Sequence, residues 1–254
     1  MERDTKIIAV AGKGGVGKTS ISAAIVKLLV QKYPDKRILA IDADPAIGLS
    51  TALGVEVTHT LDGIRKNVAL DVTEKQRKDV ENILGEVKFQ LFDAIVEQDG
   101  FAFLAIGRPE EAGCYCAINT YLRKVISIIA QDFDYVVIDG EAGIEQINRR
   151  VMEKVTHLLL ISDPSKKGTQ VIQTIRKVAD ELMMYSRLGV IINRLADESL
   201  KECIDTGDIP ILSYIADDKE LAKVDAMGES VLGLSEEARI MQGVKEALQK
   251  IEVI

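Results

Sequence analysis

Eight consecutive residues, Gly12-Lys13-Gly14-Gly15-Val16-Gly17-Lys18-Thr19, have a spacing that suits phosphate chemistry. Glycines let the main chain turn tightly enough to aim its N–H groups at phosphate oxygens, and the start of a following helix adds partial positive charge. Lys18 then neutralises β- and γ-phosphate oxygens, and the Thr19 hydroxyl is a ligand for Mg²⁺. Ser20 extends the same lining by one residue. The ligand expected here is ATP or ADP with Mg²⁺. Such a loop works only between a strand and a helix, and the β-branched run Lys6 to Ala11 and the amphipathic stretch Lys18 to Gln31 supply both.

A second pattern is chemical rather than structural. Gly113-Cys114-Tyr115-Cys116 sets two thiols two residues apart in a chain with only three cysteines. Three cysteines in a chain of this length cannot form a disulfide framework, so metal binding or redox chemistry is the better reading of the pair. Two thiolates at this spacing grip one soft ion, yet zinc, nickel and iron–sulfur sites usually take four ligands. One chain therefore supplies half a site. Two buried structural thiols, or a redox dithiol, are the competing readings. Cys203 stands alone in a polar stretch and reads as structural or incidental.

Lys13 is not needed to wrap the phosphates of its own loop. With it, the loop resembles the deviant Walker A motif, KGGVGKT, of the ParA/MinD/nitrogenase-iron-protein superclass, P-loop NTPases of the SIMIBI type. That resemblance implies that Lys13 reaches across a homodimer to the partner's nucleotide and, with Lys18, stabilises charge on the transferred phosphoryl group. It assigns Asp44, in Asp42-Ala43-Asp44-Pro45, to a switch that orients or activates the attacking water. Asp139, at the end of Tyr135 to Ile138, takes a Walker-B-like place in the Mg²⁺ shell, and Gly140-Glu141-Ala142-Gly143 suits a loop sensing the γ-phosphate. Asn193 is assigned to the adenine edge, with Arg194 beside it and Pro210 to Asp218 lining the base. Asp-Pro and strand-end Asn are also ordinary turn chemistry.

Taken with Cys114 and Cys116, and with Gly107, Arg108 and Asn119, the resemblance narrows to nickel-insertion ATPases of the CooC and AcsF type, which mature carbon monoxide dehydrogenase and acetyl-CoA synthase. It covers Lys6 to about Gln249. It implies Ni²⁺, with Zn²⁺ as competitor, held by Cys114 and Cys116 of two subunits, a dimer formed on ATP or metal binding, and a nickel enzyme as client. An ATP-dependent reductase with an intersubunit iron–sulfur cluster, and a positioning ATPase of the MinD/ParA kind, are the alternatives.

The elements that must position these residues follow from the hydrophobic pattern. Short β-branched runs alternate with amphipathic stretches, which predicts an α/β fold: a mostly parallel, twisted sheet with helices on both faces. Strands are expected near Lys6 to Ala11, Arg37 to Asp42, Phe101 to Ile106, Tyr135 to Asp139, His157 to Ser162, Leu188 to Asn193 and Ile211 to Ile215. Helices are expected near Lys18 to Gln31, Asn119 to Ala130, Gln146 to Lys154, Gly168 to Met184, Lys219 to Ala226 and Glu236 to Gln249. Val55 to Gly100 shows no clear strand, but Val80, Ile83, Leu84, Val87, Leu91 and Ile95 fall at helical spacing and predict an amphipathic helix packed on the parent fold.

With 254 residues, 47% of them apolar, and no linker rich in Gly, Pro or Ser, one P-loop ATPase domain spanning 1–254 is expected. Thirty-two basic against 40 acidic residues give a net charge of −8, without the basic block that nucleic acid attracts. No apolar signal core opens the chain and no apolar run is long enough to span a bilayer, so a cytoplasmic protein with neither membrane nor nucleic-acid partner is expected. The last helix carries mixed charge, not a cationic face, and is expected to dock on the core.

Overall fold

The computed structural model describes residues 5–64, 92–107, 116–140, 144, 147–148, 151–182 and 184–254, with the backbone alone for 116–122. The chain alternates strands and helices: β1 (Lys6–Gly12), α1 (Lys18–Lys32), β2 (Ile38–Asp42), α2 (Gly48–Leu53), β3 (Val96–Gln98), β4 (Phe101–Ala105), α3 (Cys116–Ala130) and β5 (Tyr135–Asp139). Then come β6 (His157–Ser162), α4 (Lys166–Glu181), β7 (Arg187–Leu195), β8 (Ile211–Ala216), α5 (Lys219–Met227) and α6 (Arg239–Lys250). The strands form one sheet in the order β3-β4-β2-β5-β1-β6-β7-β8. All pairings are parallel except β3 with β4. The predicted α/β architecture is what the chain adopts.

Successive strand residues point to opposite faces, so a strand buried on both sides must be apolar at nearly every position. Ala9, Leu39, Ile41, Val136, Ile138, Leu158 and Leu160 feed one core, covered by α3, α4 and the segment around Ile147 and Val151. Ile8, Val10, Ile38, Ala40, Val137, Leu159 and Ile161 feed the other, covered by α1, α2 and α6. Ile95 packs against the first core. The rest of the predicted helical stripe, Val80 to Leu91, lies outside the described residues.

Three local expectations change. The Val55 to Gly100 segment contains a strand after all: β3 is antiparallel to β4, and its three residues, Val96-Glu97-Gln98, are too few to show alternation. The six-residue α2, rich in Gly, Ser and Thr, is too short for helical periodicity to reveal. The helix expected over Gln146 to Lys154 stops early, because the N–H groups of Val151 and Met152 both donate to the Ile147 carbonyl and the chain turns there. Val155 must then donate to the Met184 carbonyl at 2.7 Å to lead into β6.

Among the described residues no helix is long and apolar enough to cross a membrane. The last helix docks on the core as expected: Ile240, Met241, Val244, Ala247 and Leu248 are buried on one face of α6 while Lys245 and Glu246 are exposed. Leu248→Ala is therefore expected to cost about 2–5 kcal/mol of unfolding free energy, and Lys245→Ala less than about 0.5 kcal/mol, measured by urea denaturation. Equal costs would show that α6 does not close the core.

Candidate nucleotide site

The parallel strands end at one edge of the sheet, and register decides what meets there. Val10 of β1 pairs with Asp139 of β5, and Asp139 pairs in turn with Asp42 of β2. The loop that leaves β1 therefore arches over two carboxyl groups before α1 begins. An open parallel sheet binds ligands outside the carboxyl ends of its strands, where neighbouring connections diverge.

Gly17 is the residue on which the loop's shape turns. It sits at φ 92°, immediately before α1, and a Cβ there would lie 2.6 Å from the side-chain amide nitrogen of Asn193. The room is used: Asn193 Nδ2 donates to the Val16 carbonyl at 2.8 Å, clamping the phosphate loop to the end of β7. Lys18 is 8% exposed, and its Nζ donates to the Lys13 carbonyl at 3.2 Å, so its stem is fixed beneath the loop.

Asp139 and Asp42 are both fully buried. Asp139 Oδ1 accepts from the Ser22 hydroxyl at 3.0 Å, and Thr19 also hydrogen-bonds this carboxyl group. Its Oδ2 is buried without a hydrogen-bond partner. An acceptor left dry in this way costs free energy unless something supplies positive charge. Burial pushes Asp139 up to about 6, held back by Thr19, Ser22 and Lys18. Burial, with Asp139 as neighbour, pushes Asp42 up to about 7. The Thr19 hydroxyl and the orphaned Asp139 oxygen fit the magnesium ion of a nucleotide complex, whose charge would draw both carboxyls to the ionised form.

Asp42 also organises the chain that follows. Its two oxygens accept from the N–H groups of Asp44, at 3.1 Å, and Leu49, at 2.8 Å, which ties the Asp44–Leu49 turn and α2 to the end of β2. Asp44 itself is partly exposed, its Oδ1 accepting from the Ala46 N–H at 2.8 Å, and its charge acts on both Asp42 and Asp139. Ile47 in the same turn has φ 51°, a left-handed backbone that a β-branched residue adopts only when its surroundings impose it.

Beside the loop lies a cleft of about 320 Å³ lined by Gly17, Ser20, Asn193, Arg194 and Ala216 to Lys219, with Asp225 on its wall. It joins the phosphate loop directly, where the base and sugar of a nucleotide would lie. Asn193 and Arg194 both line this cleft, and the Asn193 amide nitrogen is engaged with the Val16 carbonyl.

Lys13 does not project freely. Its Nζ meets Asp163 Oδ2 at 2.9 Å, on the loop after β6. Partial burial works against the Asp163 carboxylate, but hydrogen bonds from Ser165 and Lys13 outweigh it and hold its pKa below the usual range. Sequence reasoning missed both Asp163 and Ser22. Asp163-Pro164-Ser165 repeats, at a third strand end, the Asp-Pro turn seen at Asp44-Pro45, and Ser22 follows Thr19 by three positions, on the same face of α1.

Cys114 lies outside the described residues, and Cys116 opens α3 in a stretch where only the backbone is described. Among the described residues there is no cluster of three or more His, Cys, Asp or Glu suited to a metal. Cys203 is a free, exposed thiol in a 3₁₀ turn.

The raised pKa values set a pH signature. Both carboxyls hold their protons more tightly folded than unfolded, where an Asp titrates near about 3.9. The nucleotide-free protein therefore loses stability as pH rises from about 4 through the folded values of about 6 and about 7. Asp139→Asn is expected to melt higher than the parent at about pH 8, with the gap closing toward about pH 4, while the magnesium-dependent part of stabilisation by ATP disappears. Equal melting temperatures at the higher pH would show that the buried charge carries no penalty.

Comparison with known proteins agrees with this geometry. Residues 7–231 match the CobQ/CobB/MinD/ParA nucleotide binding domain. An uncharacterised ATP-binding protein of Methanocaldococcus jannaschii is 35% identical over 96% of this chain and 98% of its own. The carbon monoxide dehydrogenase accessory protein CooC of Rhodospirillum rubrum is 31% identical over 91% of each chain. Among solved structures, the septum site-determining protein MinD of Pyrococcus horikoshii, complexed with Mg-ADP, superposes with a TM-score of 0.71 at 21% identity, covering 98% of this chain and 96% of that one. The chain belongs to the CobQ/CobB/MinD/ParA family and is a P-loop ATPase.

Proposed function

We propose that this ATPase is a nickel metallochaperone: ATP binding closes a homodimer in which Cys114 and Cys116 of two subunits hold one Ni²⁺, and hydrolysis opens it to deliver the ion to carbon monoxide dehydrogenase or acetyl-CoA synthase. The observation that carries the reading is the pair Cys114-Tyr115-Cys116 in the sequence, of which Cys116 opens α3. This helix runs back from the edge where β4 ends, so its first residue belongs to the same edge of the sheet as the phosphate loop. The 31% identity to a protein named for its service to carbon monoxide dehydrogenase supports the same reading. Zn²⁺ competes for the same thiolates, because softness and affinity order favour both ions. The chaperone works in the cytoplasm, without nucleic acid or membrane.

In this reading Gly12 to Ser20 cradle the phosphates, Thr19 and Asp139 hold the magnesium of the substrate, and the cleft beside Asn193 and Arg194 takes the base. Asp44 orients the water that attacks the γ-phosphorus and accepts its proton. Lys18, and Lys13 of the partner subunit, neutralise charge on the transferring phosphoryl group. Because Lys13 and the cysteine pair both need a second chain, nucleotide and metal report on the same assembly.

Replacing Cys114 and Cys116 together with Ala is expected to abolish stoichiometric Ni²⁺ binding, one ion per dimer, and the metal-induced doubling of mass in light scattering. Unchanged binding sinks the metal reading. Separately, Asp44→Ala should bind ATP nearly as tightly as the parent while turnover falls by about 10² or more. Turnover that survives would remove Asp44 from its assigned role.

A further inference from the structure

Within a single chain Lys13 is already occupied. Lys13 Nζ lies 2.9 Å from Asp163 Oδ2, and the two side chains are 30% and 25% exposed. Asp163 is itself held in place: its Oδ1 accepts from the Ser165 N–H at 3.2 Å and from the Ser165 hydroxyl. The Ser165 hydroxyl in turn accepts from the Gly168 N–H at 3.0 Å, capping α4. Gly168 is the oddity that makes the arrangement possible. Glycine in the first turn of a helix weakens it relative to alanine. Here, however, a Cβ would fall 2.6 Å from Ser162 Oγ and closer still to Asp163 Oδ1. The helix gives up propensity to leave room for the carboxylate that holds Lys13.

We infer that Asp163 is a positioning residue that parks Lys13 against its own chain until a partner's nucleotide takes the lysine away. The inference rests on the dimer reading above, since it assigns Lys13 two competing partners, Asp163 in the same chain and phosphate oxygens in the other. A lysine cannot satisfy both, so forming a symmetric dimer breaks two such contacts. The pair discourages a dimer without nucleotide and ensures that only an anion as strong as a triphosphate draws Lys13 across.

A partly exposed ion pair biases its equilibrium by a factor of up to about five, so two of them bias it by up to about 25. Asp163→Asn and Gly168→Ala are therefore expected to tighten the dimer formed with a non-hydrolysable ATP analogue by roughly 2- to 25-fold in sedimentation equilibrium. In the ATP-free protein both should also speed acylation of Lys13 by an amine-reactive ester, read by peptide mass spectrometry. The Asp163→Asn effect on dimer affinity should vanish in a Lys13→Ala background, which a merely structural role would not produce.

Unchanged labelling of Lys13 in Asp163→Asn overturns the parking contact. Faster labelling with a weaker dimer also overturns it, since Asp163 would then be serving the closed state. Faster labelling with no dimer in either parent or variant overturns the dimer reading and the competition with it, while leaving the contact within one chain established.

Discussion

Two carboxyl groups buried side by side are the constraint around which the rest of this molecule is arranged. Asp42 and Asp139 end neighbouring strands in register, and neither sees solvent. Two negative charges so placed, in a region of low polarisability, are unfavourable without a cation. Everything nearby answers to that. Hydroxyls of Thr19 and Ser22 and the Lys18 charge steady Asp139, and main-chain N–H groups of Asp44 and Leu49 steady Asp42. One Asp139 oxygen is left unsatisfied, and the cation of a bound nucleotide would fit it.

The second organising feature is that the phosphate loop and the neighbouring cleft share a residue. Asn193, near the end of β7, holds the loop at Val16, and with Arg194 it lines the cleft. Arg194, like Ile47, has positive φ, so the connections after β2 and within the end of β7 are both shaped by non-glycine residues in a left-handed conformation. Such backbone persists only where surrounding contacts over-determine it.

Much of this was legible in the residues. The phosphate loop declares itself because its glycines, lysine and threonine are each demanded by geometry at fixed offsets, and the flanking strand and helix obey simple periods. The two-sided sheet is legible because burial on both faces leaves uninterrupted apolar runs such as Leu158-Leu159-Leu160-Ile161. What escaped was either short or non-local. Three residues of β3 and six of α2 carry no period. The early end of the helix near Val151 depends on a hydrogen bond from Val155 to Met184, far along the chain. Asp163 and Ser22 join the site through partners about 150 and 117 positions away in sequence, Lys13 and Asp139, and the turn motif and helix spacing that mark the two residues locally do not name those partners.

The edge strand β3 has a consequence for how copies of this chain meet. It is three residues long, runs against its neighbour and carries Glu97 between Val96 and Gln98. An open row of main-chain donors and acceptors is normally an invitation for another chain to dock strand to strand, and a short, charged, reversed strand withdraws that invitation. The sheet is self-limiting on this flank. Backbone pairing there, which would lock two molecules together for good, is disfavoured.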